Sequence, residues 1–295
     1  MVSPNLDGTF PDPSVQEGWT FPDTPEGIMS AIAKGATHLW ANTVLFSAHP
    51  LQTSEELQPY MDEIKIVGQP CNLVDRYDDK EWTNDLLRRH NSKAFTLPKA
   101  WGLEVTSGLD PDLEGKVQKW LELFGPELAF PVVGKPIRGR GSFGVKVCHT
   151  QLELHSHLTA LLKMDPRAMV EQFLAGEEAT VTVMPPSPSR PSHWALPIVV
   201  RYNHSDDVAP YSGKVAVTSN SRVVTAEEYA GDDAYEKIAK ECEAAGKLLG
   251  TTAPIRIDIR RVSKKKGSKF AMFDVNMKPV SEELEVYWGL VTGKC

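Results

Sequence analysis

The chain has little cysteine for its 295 residues: Cys71, Cys148, Cys242 and Cys295 stand far apart and form no C-x-x-C pair. That spacing argues against a disulfide-dense secreted scaffold, a thioredoxin-like motif and a structural zinc site, and fits a reducing compartment. No window approaches the roughly eighteen apolar residues of a membrane-spanning helix, and the N-terminus lacks the charged and apolar regions of a signal peptide. Positive charge is not in excess: Lys+Arg 32 against Asp+Glu 39 gives a net charge of −7. A general attraction to nucleic acid or an anionic membrane is thereby excluded, so any bound anion must be held by a local site. Internal repeats and heptads are absent. The expectation is a soluble cytoplasmic protein, and 41% hydrophobic with 24% charged residues is an ordinary globular composition.

Residues 1–27 carry five prolines and no apolar period, and read as an extended arm. Residues 28–79 follow a strand-helix-strand rhythm: a β-prone run at Thr37–Phe46, helical spacing at Ser54–Leu57 and a short strand at Ile64–Gly68. This is a small α/β unit. A polar helix is expected from Asp78 to Arg89, then a helix over Lys116–Phe124 and a strand over Ala129–Lys135. A glycine-rich turn from Gly139 to Gly144 leads into the strand Val145–Val147, making a hairpin, and a helix over Gln151–Leu162 follows. Residues 80–184 form a central unit, ending with the segment Met169–Leu174 and the strand Ala179–Met184.

A loop with four prolines in eight residues, Pro185–Ser192, opens residues 185–295. Strands are expected at Leu196–Arg201 and Lys214–Thr218, one helix from Ala226 to Gly250, and strands at Ile255–Arg260 and Phe270–Asn276 around the basic tip Lys264-Lys265-Lys266. That tip reads as a solvated turn. The composite is α/β with many antiparallel hairpins, an α+β arrangement.

Two constellations carry chemistry. Glycines at 139, 141 and 144 let backbone amides approach an anion, Ser142 adds a hydroxyl and Lys135 a charge, so the hairpin is either a phosphate cradle or a plain mobile turn. It is neither the P-loop nor the dinucleotide fingerprint, because a strand and not a helix follows it. Near the C-terminus, strand alternation puts Asp274 and Asn276 on one face, and Asp258 joins them if the two strands pair. Hard oxygen ligands of this kind suit Mg²⁺ bridging nucleotide phosphates. The plain alternative is a solvated strand face, but both strands alternate with strongly apolar residues, which makes an Asp on each costly without a compensating cation.

The order and wording of these motifs resemble the ATP-grasp superfamily, in its D-alanine:D-alanine ligase-like group. The resemblance rests on Pro131-Val132-Val133-Gly134-Lys135-Pro136, Arg140-Gly141-Ser142-Phe143-Gly144-Val145, Glu171-Gln172-Phe173-Leu174-Ala175-Gly176-Glu177-Glu178, Arg256-Ile257-Asp258 and Phe273-Asp274-Val275-Asn276, and runs from about Lys80 to Asn276. It implies an ATP-grasp fold, a small N-terminal α/β subdomain plus two α+β subdomains sandwiching ATP. It implies that Lys80, Lys135 and Lys214 meet the phosphates together with Gly141, Ser142 and Phe143 of the hairpin. Glu171, Phe173 and Leu174 would meet the adenine, and Glu178 the ribose hydroxyls. Asp258, Asp274 and Asn276 would hold Mg²⁺, two ions for which Mn²⁺ can substitute. Arg256, with Lys214 and Ser142, would act in catalysis.

The implied reaction is ATP-dependent ligation. The γ-phosphate passes to a carboxylate, an amine attacks the acyl phosphate, and Arg256 faces the tetrahedral oxyanion. Partners are then a small-molecule carboxylate and amine, with no nucleic acid and no membrane, and a homodimer is open. The alternatives are a homologue that binds nucleotide but has lost ligase activity, because Met277 onward departs from the family's usual loop and helix, and an unrelated α/β binding domain.

Overall fold

A computed structural model of the chain describes residues 20–39, 45, 48–91, 94–139, 142–202 and 220–277. Helix α1 (Pro25–Ala33) begins inside the expected arm, because Thr24 accepts from the Gly27 amide at 3.2 Å and Pro25 fills the first helical position. Strand β1 (His38–Leu39) pairs in parallel with β2 (Lys65–Ile66). Between them α2 (Pro50–Thr53) replaces the helix expected at Ser54–Leu57: Pro50 starts it, and the His49 ring nitrogen accepts from the Leu51 amide at 3.1 Å. Helix α3 (Cys71–Tyr77), preceded by Pro70, was not anticipated; α4 (Lys80–Asn91) was.

The central sheet takes β3 (Ala100–Glu104), β4 (Val132–Pro136), β5 (Lys146–Cys148) and β6 (Arg167–Gln172) in the order β3-β6-β4-β5, each neighbour antiparallel. Helices α5 (Leu113–Phe124) and α6 (Gln151–Met164) cover one of its faces, where Val117, Leu121, Leu154 and Leu158 bury Val132 and Val170. Alternation sends Val133, Lys135, Met169 and Glu171 to the opposite face.

A second sheet holds β7 (Glu178–Met184), β8 (Trp194–Ala195), β9 (Val199–Arg201) and β10 (Ser221–Val223), and beyond helices α7 (Ala226–Ala230) and α8 (Asp233–Leu249) also β11 (Ile255–Arg261) and β12 (Phe270–Asn276). Its order is β10-β9-β7-β11-β12, with β8 also beside β7. Strand β7, expected with the central unit, therefore belongs here, held in register by β11. The strand expected over Leu196–Arg201 begins only at Val199, as β9, because Pro197 cannot donate to a ladder, and β8 lies ahead of the expected span. The single helix expected from Ala226 is two, because Gly231 closes α7 and the Asp232 carboxylate caps α8 by accepting from the Ala234 amide at 2.9 Å. The expected strand Lys214–Thr218 lies outside the described residues, as does the departure from the family pattern after Met277.

Ile255, Ile257 and Ile259 of β11 face α8, and the cluster they form extends without a break to Ile28, Leu57, Val74 and Leu87 of the N-terminal helices and turns. The other face of β11 carries Arg256, Asp258 and Arg260. No helix among the described residues is long and apolar enough to cross a membrane.

Candidate functional site

Lys135 and Glu171 are diagonal neighbours on the uncovered face of the central sheet, and their charged ends meet at 2.6 Å with both side chains buried. Asn84 of α4 donates to the other Glu171 oxygen at 3.2 Å. Lys135 also donates to the Phe273 carbonyl at 3.1 Å, reaching from the central sheet to β12 of the second. That carbonyl is available because the register of β12 against β11 slips between Asp258 and Ile259, leaving Phe273 as the extra residue of a bulge.

Lys80 makes a parallel crossing. It opens α4, donates to the Gly139 carbonyl at 2.8 Å and lies 3.8 Å from Asp274 Oδ1. The residues flanking it are pinned: Asp79 accepts from the Trp82 amide and from Arg167, both at 2.8 Å, and Arg167 also donates to Glu81 at 2.8 Å. Glu81 has room because residue 102 is glycine; a Cβ there would sit 1.9 Å from its Oε1.

The polar face of the second sheet gathers the other group. Register places Asp258 opposite Asp274 and Arg256 opposite Asn276. Arg256 grips Asp258 in a two-point pair, Nε to Oδ1 at 2.8 Å and Nη2 to Oδ2 at 3.1 Å, and Asn276 Nδ2 donates to Oδ2 at 3.2 Å. Burial pushes the Asp258 carboxyl above its ordinary range; the Arg256 and Arg201 charges oppose that push, and the Asp274 charge adds to it. Two neighbouring carboxylates, Asp258 buried and Asp274 half-buried, draw positive charge, which Arg256 and Lys80 supply. Among the described residues no three His, Cys, Asp or Glu side chains cluster as a metal centre. The Asp258, Asp274 and Asn276 set is smaller, of the kind that shares a divalent ion with phosphate oxygens, and its hard oxygens fit Mg²⁺.

The glycine hairpin joins β4 to β5 between these groups. Ser142 adopts φ 56°, left-handed for a non-glycine residue, and Phe143 is 64% exposed at the tip. His157 of α6 holds the hairpin's base: its Nε2 donates to the carbonyls of Gly134 at 3.2 Å and Gly144 at 3.0 Å, and burial lowers its pKa. Glycine is required at 134, where a Cβ would come within 2.8 Å of the His157 ring. Gly141 and Lys214 lie outside the described residues.

The remaining predicted positions line the crossing between the sheets. Leu174 is buried, Phe173 is half-buried, and Glu178 at the start of β7 is buried and 3.5 Å from Arg260. The structure thus brings Lys80, Lys135 and Glu171 up to Asp258, Asp274, Asn276 and Arg256, with Glu178 further along the same face of β7 and β11. Sequence reasoning passed over Asn84, Arg167, His157 and Arg260. Arg260 had a signal, since alternation from Asp258 puts it on the same face.

The family model described as D-ala D-ala ligase C-terminus matches residues 105–289. D-alanine–D-alanine ligase A of Bacillus cereus is 24% identical over 215 residues, 61% of this chain and 69% of that protein. D-alanine–D-alanine ligase of Pediococcus pentosaceus is 30% identical over 135 residues, 45% of this chain and 36% of that protein. Among solved structures, the D-alanine–D-alanine ligase from Bacillus anthracis complexed with ATP aligns at TM-score 0.59 and 19% identity, covering 92% of this chain and 78% of that one. The D-alanine–D-alanine ligase from Coxiella burnetii aligns at TM-score 0.57 and 16% identity, over 81% of this chain and 60% of that one.

Proposed function

The chain belongs to the D-ala D-ala ligase C-terminus family and has the ATP-grasp fold of its structural neighbours, and from that membership we propose a cytoplasmic ligase that uses Mg²⁺-ATP to join a small carboxylate to an amine. The observation that carries the reading is the pair of lysine crossings. Lys135 leaves the central sheet and Lys80 the first turn of α4, and they end at Phe273 and Asp274, beside the carboxylates of the second sheet. Cations on one side and metal-suited oxygens on the other are what a triphosphate travelling with magnesium requires.

In this reading Lys80 and Lys135 neutralise phosphate oxygens, and the amides around Ser142 close over the terminal phosphate. Glu171, Phe173 and Leu174 form the base-binding edge, and Glu178 takes the ribose. Asp258, Asp274 and Asn276 would hold Mg²⁺, which when bound screens phosphate charge and makes phosphorus open to attack. The carboxylate substrate takes the γ-phosphate, giving an acyl phosphate from which water is excluded by the hairpin. An amine then attacks the acyl carbon, phosphate leaves, and the Arg256 guanidinium stabilises the oxyanion that forms between the two events.

The test is an ADP-release screen over amino acids and small carboxylates paired with amines, with mass detection of the product. ADP formed in step with a new amide supports the ligase. Mg²⁺-ATP binding without ADP release on any pair would leave a nucleotide-binding homologue, and no magnesium-dependent stabilisation by ATP would remove the nucleotide site itself.

A further inference from the structure

Arg260 is the third side chain on the polar face of β11, after Arg256 and Asp258, and register sets it opposite Glu178 of β7. Its guanidinium carbon stands 5.1 Å from the centre of the Phe173 ring. Its Nε donates to the Gly176 carbonyl at 3.2 Å, and its Nη1 lies 3.5 Å from Glu178 Oε2. The Arg260 side chain is 12% exposed and that of Glu178 8%. One flat cation is thus fixed to the base-binding edge through Phe173, to the turn between the sheets through Gly176, and to the ribose-binding carboxylate. Gly176 is held in turn, its amide donating to the Arg261 carbonyl at 3.0 Å. Arginine suits this place better than lysine: its planar fork stacks on the ring while its edges still donate, so the charge has one orientation.

We propose that Arg260 is a specificity-determining residue of the nucleotide site, orienting the Glu178 carboxylate so that it accepts both vicinal hydroxyls of a ribose and thereby selects ribonucleotide over 2′-deoxyribonucleotide. The inference rests on the nucleotide reading given above. Arg260 acts through Glu178, which makes it a positioning residue.

Calorimetric titration of wild type, Arg260→Met and Arg260→Lys with Mg²⁺-ATP and with Mg²⁺-2′-deoxyATP, beside urea unfolding of each, tests it. Wild type is expected to prefer ATP by about tenfold, the scale of one hydrogen bond to a charged group. Arg260→Met should bind ATP about tenfold more weakly and retain no more than about a twofold preference, and Arg260→Lys, which keeps charge but not the stacked fork, should fall between. A folded Arg260→Met with the preference intact, or with both affinities reduced by one factor, overturns the inference. If that variant does not fold, the ratio for Arg260→Lys decides, and an unchanged ratio overturns it. Wild type that binds neither nucleotide overturns both this inference and the nucleotide reading, whereas wild type that binds both equally overturns this inference alone.

Discussion

Lys135 and Glu171 form an ion pair with both side chains about 4% exposed, and the two residues differ in what their loss would leave behind. Removing the lysine strands a buried carboxylate, with the Asn84 amide still donating to it. Lys135→Met is therefore expected to lower stability by about 3–5 kcal/mol. The double variant Lys135→Met with Glu171→Gln should lose less than the sum of the singles by about 1–3 kcal/mol, read from urea midpoints in a double-mutant cycle. Strict additivity would mean that the pair is not coupled. The pair was only half legible in the sequence. Lys135 carries a strand motif, but its partner is 36 positions away on a strand that is adjacent only because β6 runs between β3 and β4.

At the scale of elements, helix ends carry much of the local order. Gly250 ends α8 at φ 65°, its amide returning to the Lys247 carbonyl, and among the described residues nothing beyond its own chain neighbours and helix lies within 4 Å of the place a Cβ would take. Gly250→Ala should therefore cost backbone strain alone, about 1–2 kcal/mol, and Gly250→Asn less, measured by thermal or urea unfolding. At α7, Thr225 and Glu228 form a capping box, and Arg222 of β10 grips the same glutamate with both guanidinium nitrogens at 2.8 Å. Those bonds hold the Glu228 carboxyl down at about 2, from an ordinary 4.5. A lowered acid stabilises the fold above its unfolded pKa and loses that contribution as pH falls through its folded one. The stability difference between wild type and Glu228→Gln should thus be full at pH 6 and shrink between about 4.5 and about 2. A difference that stays constant across that interval would show that the charge contributes nothing. Strands with strong alternation, β11 and β12, were legible from sequence, as was α6. Strand β3, read from Ala100-Trp101-Gly102-Leu103-Glu104, was not: glycine and glutamate are poor strand formers, and it is the pairing with β6 that makes it a strand.

At the scale of the whole molecule, the N-terminal helices and the second sheet share one apolar cluster, while the central sheet and its two helices have another. Polar contacts reinforce the first. Gln69, 2% exposed, donates to the Ala253 carbonyl at 2.7 Å and accepts from the Thr252 amide at 3.0 Å, and the Tyr77 hydroxyl donates to the Leu249 carbonyl at 2.9 Å. Gln69→Ala should cost about 1–3 kcal/mol by leaving those backbone groups unmatched. Hydrogen exchange should rise in β7 and β11 and stay unchanged in β3, β4 and β6. Equal loosening of both sheets would contradict the division. A sequence read from end to end divides the chain into consecutive blocks, so a core assembled from residues 28–95 and 179–277 was invisible to it.

That shared core also bears on the order in which the chain can acquire its shape as it is synthesised. Ile28, Leu57 and Val74 leave the ribosome early, yet the strands they pack with, β7 and β11, come from residues 178–261. At the usual rate of translation the first group waits roughly 10–40 s for the last of the second. The central sheet, whose strands all fall between residues 100 and 172, has no such wait. It is the part able to fold first on the nascent chain, leaving the earlier apolar segment exposed as the natural client of a chaperone.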